Sequence, residues 1–511
     1  MAAWSDGYFT DVQYTSHYYA EMAPGFMAFA CLRQGVRPPA LGRGATYLEL
    51  GCGQGFGLNL LTAANPGMAF WGVDFHPGQI ANALKLAAAA GLSNVTFEDL
   101  SFEQLLALPD GRLPKFDIIA LHGVYSWISA ESRAQVVRIL DRLLKPGGMA
   151  YVSYNCLPGW ATLAPLQRFV ADYVARAPGE PETQILNALR AALQMADGKA
   201  GYFESVPSLR QRIEEALKQP PAYLVHEYLN AHSHPFFHAD VARELDAARL
   251  SFAASANIAD DFVNLAAPAP LQRLIQDARD RTWKETLLDY ASGKPFRRDV
   301  FLRGRNMLSR PEREALLNET RFALLTPPDA VTFEIPVPIG QLKGAPGVYQ
   351  PIVDALAGGP RSYAELAALP ALTGAQDGVL LQAVAMLIGV RHIHPVSEID
   401  GGAESARAFN RAICDRIVLD EVPTHVAAAA VGTAARVEFS DLVAMRAIAR
   451  GDDDLAQVAH EAWQGMARTG RRLLRNGELL QDQASNEAEL IGRIKAFSET
   501  KAPMFRSLGV I

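Results

Sequence analysis

Over the first 155 positions, short apolar runs alternate with stretches of helical period. The run ATYLEL (Ala45 to Leu50) ends in the glycine-rich GCGQGFG, after which Leu58, Leu60 and Leu61 start a helical pattern, giving strand, glycine turn, helix. AFWGVD (Ala69 to Asp74) reads as a second buried strand, and Pro77 opens an alanine-rich helix that Gly91 should cap. NVTF is a third strand and FDIIAL (Phe116 to Leu121) a fourth. Ala130 to Leu144 then has helical spacing, and the turn KPGG leads into GMAYVSY as a fifth strand. Alternation of this kind predicts a parallel, doubly wound α/β sheet.

From Trp160 to about Ala239 the pattern turns largely helical, broken at Pro178, Pro207, Pro220 and Pro221, as an inserted helical subdomain would be. LSFAASANI (Leu250 to Ile258) and DVFLRG (Asp299 to Gly304) are strand-like again and are expected to complete the far edge of the sheet. Past the proline-rich TPPDAVTFEIPVPIG, Val348 to Ala357, Ser362 to Leu369 and Asp377 to Ile388 form three short amphipathic helices. The strand-like RHIHPV follows, and together they suggest a winged helix. The remainder is mostly helical, with a strand candidate at Ala434 to Phe439.

At 511 residues the chain is too long for one core. Against 48 Lys and Arg stand 55 Asp and Glu, a net charge of -7, so no global positive field draws it to nucleic acid. Cys31, Cys52, Cys156 and Cys414 lie far apart and form no CxxC, as expected of reduced thiols in a cytosol. The N-terminus has no secretory pattern and no apolar run is long enough to span a bilayer, so the expected location is cytoplasmic, without membrane insertion.

The glycine turn satisfies neither G-x-G-x-x-G nor its alanine variant, because the last position falls on Phe56 or Leu58. What it has is Glu49, Gly51, Gly53 and Gly55, in the pattern E-x-G-x-G-x-G. S-adenosylmethionine carries a sulfonium, an amino group and a carboxylate. An acidic strand end suits its positive portion, and glycines let the backbone approach it. Asp74 lies 25 residues after Glu49, where a carboxylate can accept hydrogen bonds from both ribose hydroxyls, and Asp99 another 25 on, within reach of the adenine amino group. Three acidic strand ends in register point to that cofactor rather than to a purely steric glycine turn.

With these residues the chain resembles the class I methyltransferases. HGVYSW (His122 to Trp127) and SYNCLPGW (Ser153 to Trp160) resemble signatures of bacterial methyltransferases with a regulatory domain; YLVHEYLNAHSHPFFHADV and FRRDVFLRG resemble the regulatory region itself. The known members include rickettsial protein lysine methyltransferases. The resemblance implies a Rossmann-like core over residues 1–160 and an inserted helical subdomain, a candidate for dimerisation, over 161–239. It further implies completion of the core and regulatory region over 240–306, a winged-helix-like middle domain over 307–396 and a mostly helical C-terminal domain over 397–511, the additional parts being α+β. It implies a lysine-bearing protein as substrate, and a homodimer is one reading of its assembly. Leu100 beside Asp99, His122 at the end of the fourth strand and Tyr19 join the cofactor residues; Tyr14, Tyr18 and Tyr19 resemble the family's lid segment over the cofactor, with a packed helix as the equal alternative.

Methyl transfer is an in-line displacement and needs a dry cleft beside the sulfonium. Tyr125, Trp127, Tyr154 and Asn155 follow adjacent strand ends and are the candidates to wall and bind an alkylamine, against the plainer reading in which they pack or shape loops. A small-molecule or nucleic-acid methyltransferase is the alternative enzyme, and a cofactor-sensing DNA-binding regulator the alternative of another class; the acidic charge disfavours the latter. His226, Glu227, His232, His234 and His238 match no zinc spacing, and no metal is expected. Arg297, Arg298, Arg303 and Arg305 read as a solvated strand edge, and Arg468, Arg471, Arg472 and Arg475 as a solvated late helix. Since every cofactor motif precedes residue 160, the part beyond about residue 330 is expected to leave cofactor binding nearly intact when removed.

Overall fold

Strand β1 (Thr46–Leu50) lies inside a seven-stranded sheet, between β2 (Ala69–Asp74) and the middle strand β4 (Phe116–Leu121). With β3 (Val95–Asp99), β5 (Leu144–Asn155), β6 (Leu250–Ser255) and β7 (Phe296–Arg303), the order is β3-β2-β1-β4-β5-β7-β6. The first five strands pair in parallel, whereas β7 runs antiparallel to both β5 and β6. The structure, a computed structural model, describes residues 7–8, 16–374, 378–397, 402–416 and 423–511. Strand order reverses between β1 and β4, and at such a switch point the loops leaving the strand C-termini part to form a cleft.

Both faces of the sheet are covered, which is why its strands read as nearly continuous apolar runs. Leu48, Leu50, Ile119, Leu121 and Val152 pack with Val136, Ile139 and Leu140 of the helix Ala130–Leu143. Tyr47, Ile118, Ala120 and Tyr151 face the other way, toward α1 (Pro24–Arg33) and α2 (Phe56–Ala64). The insertion between β5 and β6 includes helices Ala164–Val174, Pro181–Asp197, Ser208–Ala216 and Pro221–Tyr228, which close on a core of their own around Leu166, Ile185, Leu189 and Ile213.

Further on, strand Arg321–Leu324 pairs antiparallel with Arg361–Ser362 and Ile393–Pro395, and helices Pro346–Ala357, Tyr363–Ala367 and Val379–Gly389 complete the expected arrangement of three helices and strands. Asp377, the expected start of the third helix, lies outside the described residues. The strand expected to reach Phe439 stops at Arg436, because Glu438 and Asp441 form a reciprocal capping box that starts a helix at Phe439; its partner strand, His425–Ala428, has no counterpart in the sequence reading.

Two expectations are corrected. Arg297 is 1% exposed rather than solvated, since β7 is an interior strand. Its guanidinium bonds Glu285 (2.8 Å), Asp289 (2.6 Å) and Asp299 (2.8 Å), and Lys294 closes the same network on Asp260 (2.9 Å). The late helix ends at Arg468, so Arg471 and Arg472 follow it and Arg475 lies in a hairpin. There Arg472 covers the Trp463 ring (5.1 Å), and Arg475 pairs with Glu489 (2.7 Å).

The C-terminal part does not stand apart from the first half. Phe409 packs on Phe56 at the start of α2, Asn65 donates to the Gly432 carbonyl (2.9 Å), and the Tyr18 hydroxyl bonds Thr433. Deleting it strips the outer face of α2, which argues against the expected independence of cofactor binding. No helix among the described residues is long and apolar enough to cross a membrane.

Candidate cofactor and substrate site

The turn after β1 closes because glycines stand at its three left-handed positions, Gly51 (φ +72), Gly53 (+53) and Gly55 (+67). Their roles differ. A Cβ on Gly55 would lie 2.4 Å from the Ala83 Cβ, so this glycine lets α2 pack on α3 (Pro77–Ala89). At Gly51 it would lie 2.7 Å from Val124 in the loop after β4. The Gly53 amide donates to an Asp74 oxygen at 2.9 Å, joining the turn to the end of β2.

Two cavities meet at Gly51. The smaller, about 70 Å³, is walled by Glu49, the glycine turn, His122 and residues 16–19. One carboxylate oxygen of Glu49 (Oε2) is buried there without a hydrogen-bond partner, and burial, reinforced by the charge of Asp74, pushes its pKa up to about 8. The His122 ring stacks on Tyr19 (3.5 Å between centroids) and its Nδ1 lies 2.8 Å from the Tyr151 hydroxyl. Burial and the neighbouring Arg298 charge hold this imidazole well below its usual pKa, so it is neutral.

The larger cavity, about 740 Å³, is lined by Asp74, Asp99, Leu100 and Trp127. Asp74 and Asp99 are register partners on adjacent strands. Asp74 also accepts from the His76 amide (3.0 Å), and burial raises its pKa. Trp127, on the short turn Tyr125–Trp127, lines this cavity together with the two aspartates. Tyr8 lines this cavity too, stacked on His226 (5.3 Å) and edge-on to Phe75 (5.7 Å). Sequence reading missed it, although it belongs to the same N-terminal run of aromatics. Tyr14 lies outside the described residues.

Tyr125, Tyr154 and Asn155 are not among the residues that line either cavity. Alternation along β5 turns Tyr154 away from Asn155 into the opposite face of the sheet, where its hydroxyl donates to Asp299 (2.6 Å) beside His238. The Tyr125 hydroxyl donates to Glu244 and its ring packs on Phe236 (5.6 Å). Asn155 ends β5, its amide donating to the Ser126 hydroxyl and its carbonyl accepting from Phe236, both at 2.8 Å. Its side-chain nitrogen is buried and has no partner among the described residues. The histidines disperse: His238 is tied to Asp299, and His226 is buried under Tyr8.

Two family models match the chain: one described as a methyltransferase domain over residues 48–150, the other as a predicted methyltransferase regulatory domain over 220–303. An uncharacterized Synechocystis protein is 34% identical over 513 residues, covering 99% of both chains. An uncharacterized Rickettsia prowazekii protein is 27% identical over 57% of this chain and 51% of its own length; a second is 29% identical over 43% and 86%. Among solved structures, PKMT2 from Rickettsia typhi in complex with AdoHcy superposes with a TM-score of 0.67, covering 97% of this chain and 99% of that one at 18% identity, a likeness of fold.

Proposed function

Since the chain belongs to the class I methyltransferases that carry a regulatory domain, and aligns over nearly its whole length with the Synechocystis protein, we propose that it methylates lysine side chains of a protein, using S-adenosylmethionine. The observation that carries the cofactor is the buried, unanswered oxygen of Glu49 at one end of a cleft whose other end presents Asp74 and Asp99. The fit follows residue by residue: Glu49 takes the amino end, the turn Gly51–Gly55 admits the backbone, Asp74 takes the ribose, Asp99 and Leu100 meet the base, and Trp127 walls it. When bound, S-adenosylmethionine supplies a methyl group on a sulfonium.

The chain's own residues prepare the transfer. Tyr19 and neutral His122 close the small cavity against water without adding a positive charge beside the sulfonium. Lysine attacks only as the neutral amine, and loss of its hydration in that enclosed site lowers its pKa from near 10.4. Asn155 offers a buried amide to orient the amine. What supports lysine over other nucleophiles is the family likeness together with the fold shared with PKMT2. Incubation with labelled S-adenosylmethionine and a bacterial lysate, followed by mass-spectrometric location of the label, should place it on lysine Nζ. Label confined to small molecules or nucleic acid would refute the substrate class.

A further inference from the structure

Tyr18 walls the small cavity of the cofactor cleft and, on its other side, a separate cavity of about 750 Å³ between the N-terminal segment, residues 325–394 and the C-terminal strands. That volume lies within the range of ligand pockets, which favour such junctions. Its walls are of two kinds. One is apolar, with Phe26, Ile388, Met504 and Phe505. The other carries His425 and Arg436, opposite each other on paired strands, with Arg391 and Lys501 near by.

Two of these cations are answered: Arg391 by Glu21 (3.2 Å) and Lys501 by Asp441 (2.8 Å). Glu438, a carboxylate in the lining, is engaged by Arg493 at 3.8 Å. Arg436 has no ion-pair partner among the described residues, which leaves the cavity one positive charge in excess. Burial, then the charges of Arg391 and Arg436, hold His425 down to about 4, so its ring is neutral and the surrounding field positive.

We propose that this cavity binds a small amphipathic carboxylic acid, with its head on Arg436 and its apolar body against Phe26, Met504 and Phe505. A single unanswered cation suits a monoanion better than a dianionic phosphate, and the volume needs a body that an inorganic ion lacks. Tyr18 packs at a tilt against His425 (5.2 Å between ring centroids) and bonds Thr433 on this side while closing the cofactor cleft on the other. Occupancy therefore changes cofactor affinity, and by linkage the cofactor changes affinity for the acid by the same factor. This coupling rests on the methyltransferase reading; the binding itself does not.

The test is calorimetry on the full chain with octanoate, and with octanol and inorganic phosphate as the other two arms. Octanoate should bind with a sub-millimolar Kd, and Arg436→Ala should weaken it at least about tenfold, as loss of a charged hydrogen-bond partner does. Arg436 is exposed, so this variant should melt like the parent; Met504→Trp, which fills the apolar end, should block binding independently. Saturating octanoate should raise AdoHcy affinity at least about fivefold in the parent and not in Arg436→Ala. Failure of octanoate to bind, or equal binding of octanol or phosphate, overturns the site. Octanoate binding with unchanged AdoHcy affinity overturns the coupling. Failure of AdoHcy to bind while octanoate does would instead refute the proposed function.

Discussion

Replacing Glu49 with Gln isolates one charge at one end of the cleft, and the structure sets the size of the effect. Glu49 titrates near 8 because its carboxylate is buried with one oxygen unanswered. At pH 7 such a group is ionised in roughly one molecule in eleven. An ammonium needs the ionised form, so apparent affinity is scaled by that fraction. Between pH 6 and pH 7.5 the fraction rises about twentyfold, while an α-amino group beside a free carboxylate stays protonated. AdoHcy affinity should therefore climb about twentyfold over that interval. At pH 7 each binding event should release close to one proton, measurable by calorimetry in two buffers of different ionisation enthalpy. Glu49→Gln should bind at least about tenfold more weakly at pH 7.5 and lose both the slope and the proton release. A parent whose affinity is flat over this range, or a Gln variant with the parental slope, would refute the assignment of Glu49 to the amino end.

The same substitution should act oppositely on the empty protein. The folded pKa is raised, so between about 4.5 and 8 the folded state holds the proton more firmly and stability falls as pH rises; Glu49→Gln should raise Tm at pH 8 and change it little at pH 5, by scanning calorimetry. Asp74→Ala should weaken AdoHcy about ten- to a hundredfold, and Trp127→Ala should weaken it too, because both line the larger cavity; unchanged affinity in either would detach that residue from the nucleoside end. Asn155→Ala should lower single-turnover methylation while AdoHcy affinity stays within about twofold, a pattern read as loss of an interaction made during transfer. Phe409→Ala should cost roughly 3 to 5 kcal/mol by denaturant unfolding, since the ring is fully buried against Phe56; a loss under 1 kcal/mol would show that the C-terminal part does not brace α2.

The first five strands were legible because strands buried on both faces leave apolar runs, and because Pro77 and the glycine turn punctuate them. Glu49, Asp74 and Asp99 were legible for a related reason: parallel strands present their C-termini at one edge, so acidic residues at successive strand ends converge. The substrate-side residues were not. Tyr154 and Asn155 are adjacent in sequence and both are buried, and only the pleat sends them to opposite faces of the sheet. Trp127, read from the sequence as a wall for the amine, lines the cavity that holds Asp74 and Asp99, a neighbourhood its loop's composition does not reveal. Arg297 was mistaken for a solvated residue because its three carboxylate partners lie within 12 residues but on a helix and a strand whose packing no local pattern reveals.

The place of β7 has a consequence for the order in which the chain assembles. Its partner β5 ends at Asn155, and β7 begins at Phe296, so the antiparallel pair closes a loop of roughly 140 residues. As an unstructured coil that closure would cost about 3 kcal/mol more entropy than a tight hairpin, and until it happens β5 is an open edge able to pair with another chain. The helical insertion has a core of its own around Leu166, Ile185 and Leu189, so once it is folded the span the closure must bridge is much shorter than a coil of roughly 140 residues. During synthesis, about half of the first 300 residues emerge between the parallel strands and the strand that seals them. The sheet is thus completed by the segment that matches the regulatory domain, and the catalytic half cannot finish folding until that segment has left the ribosome.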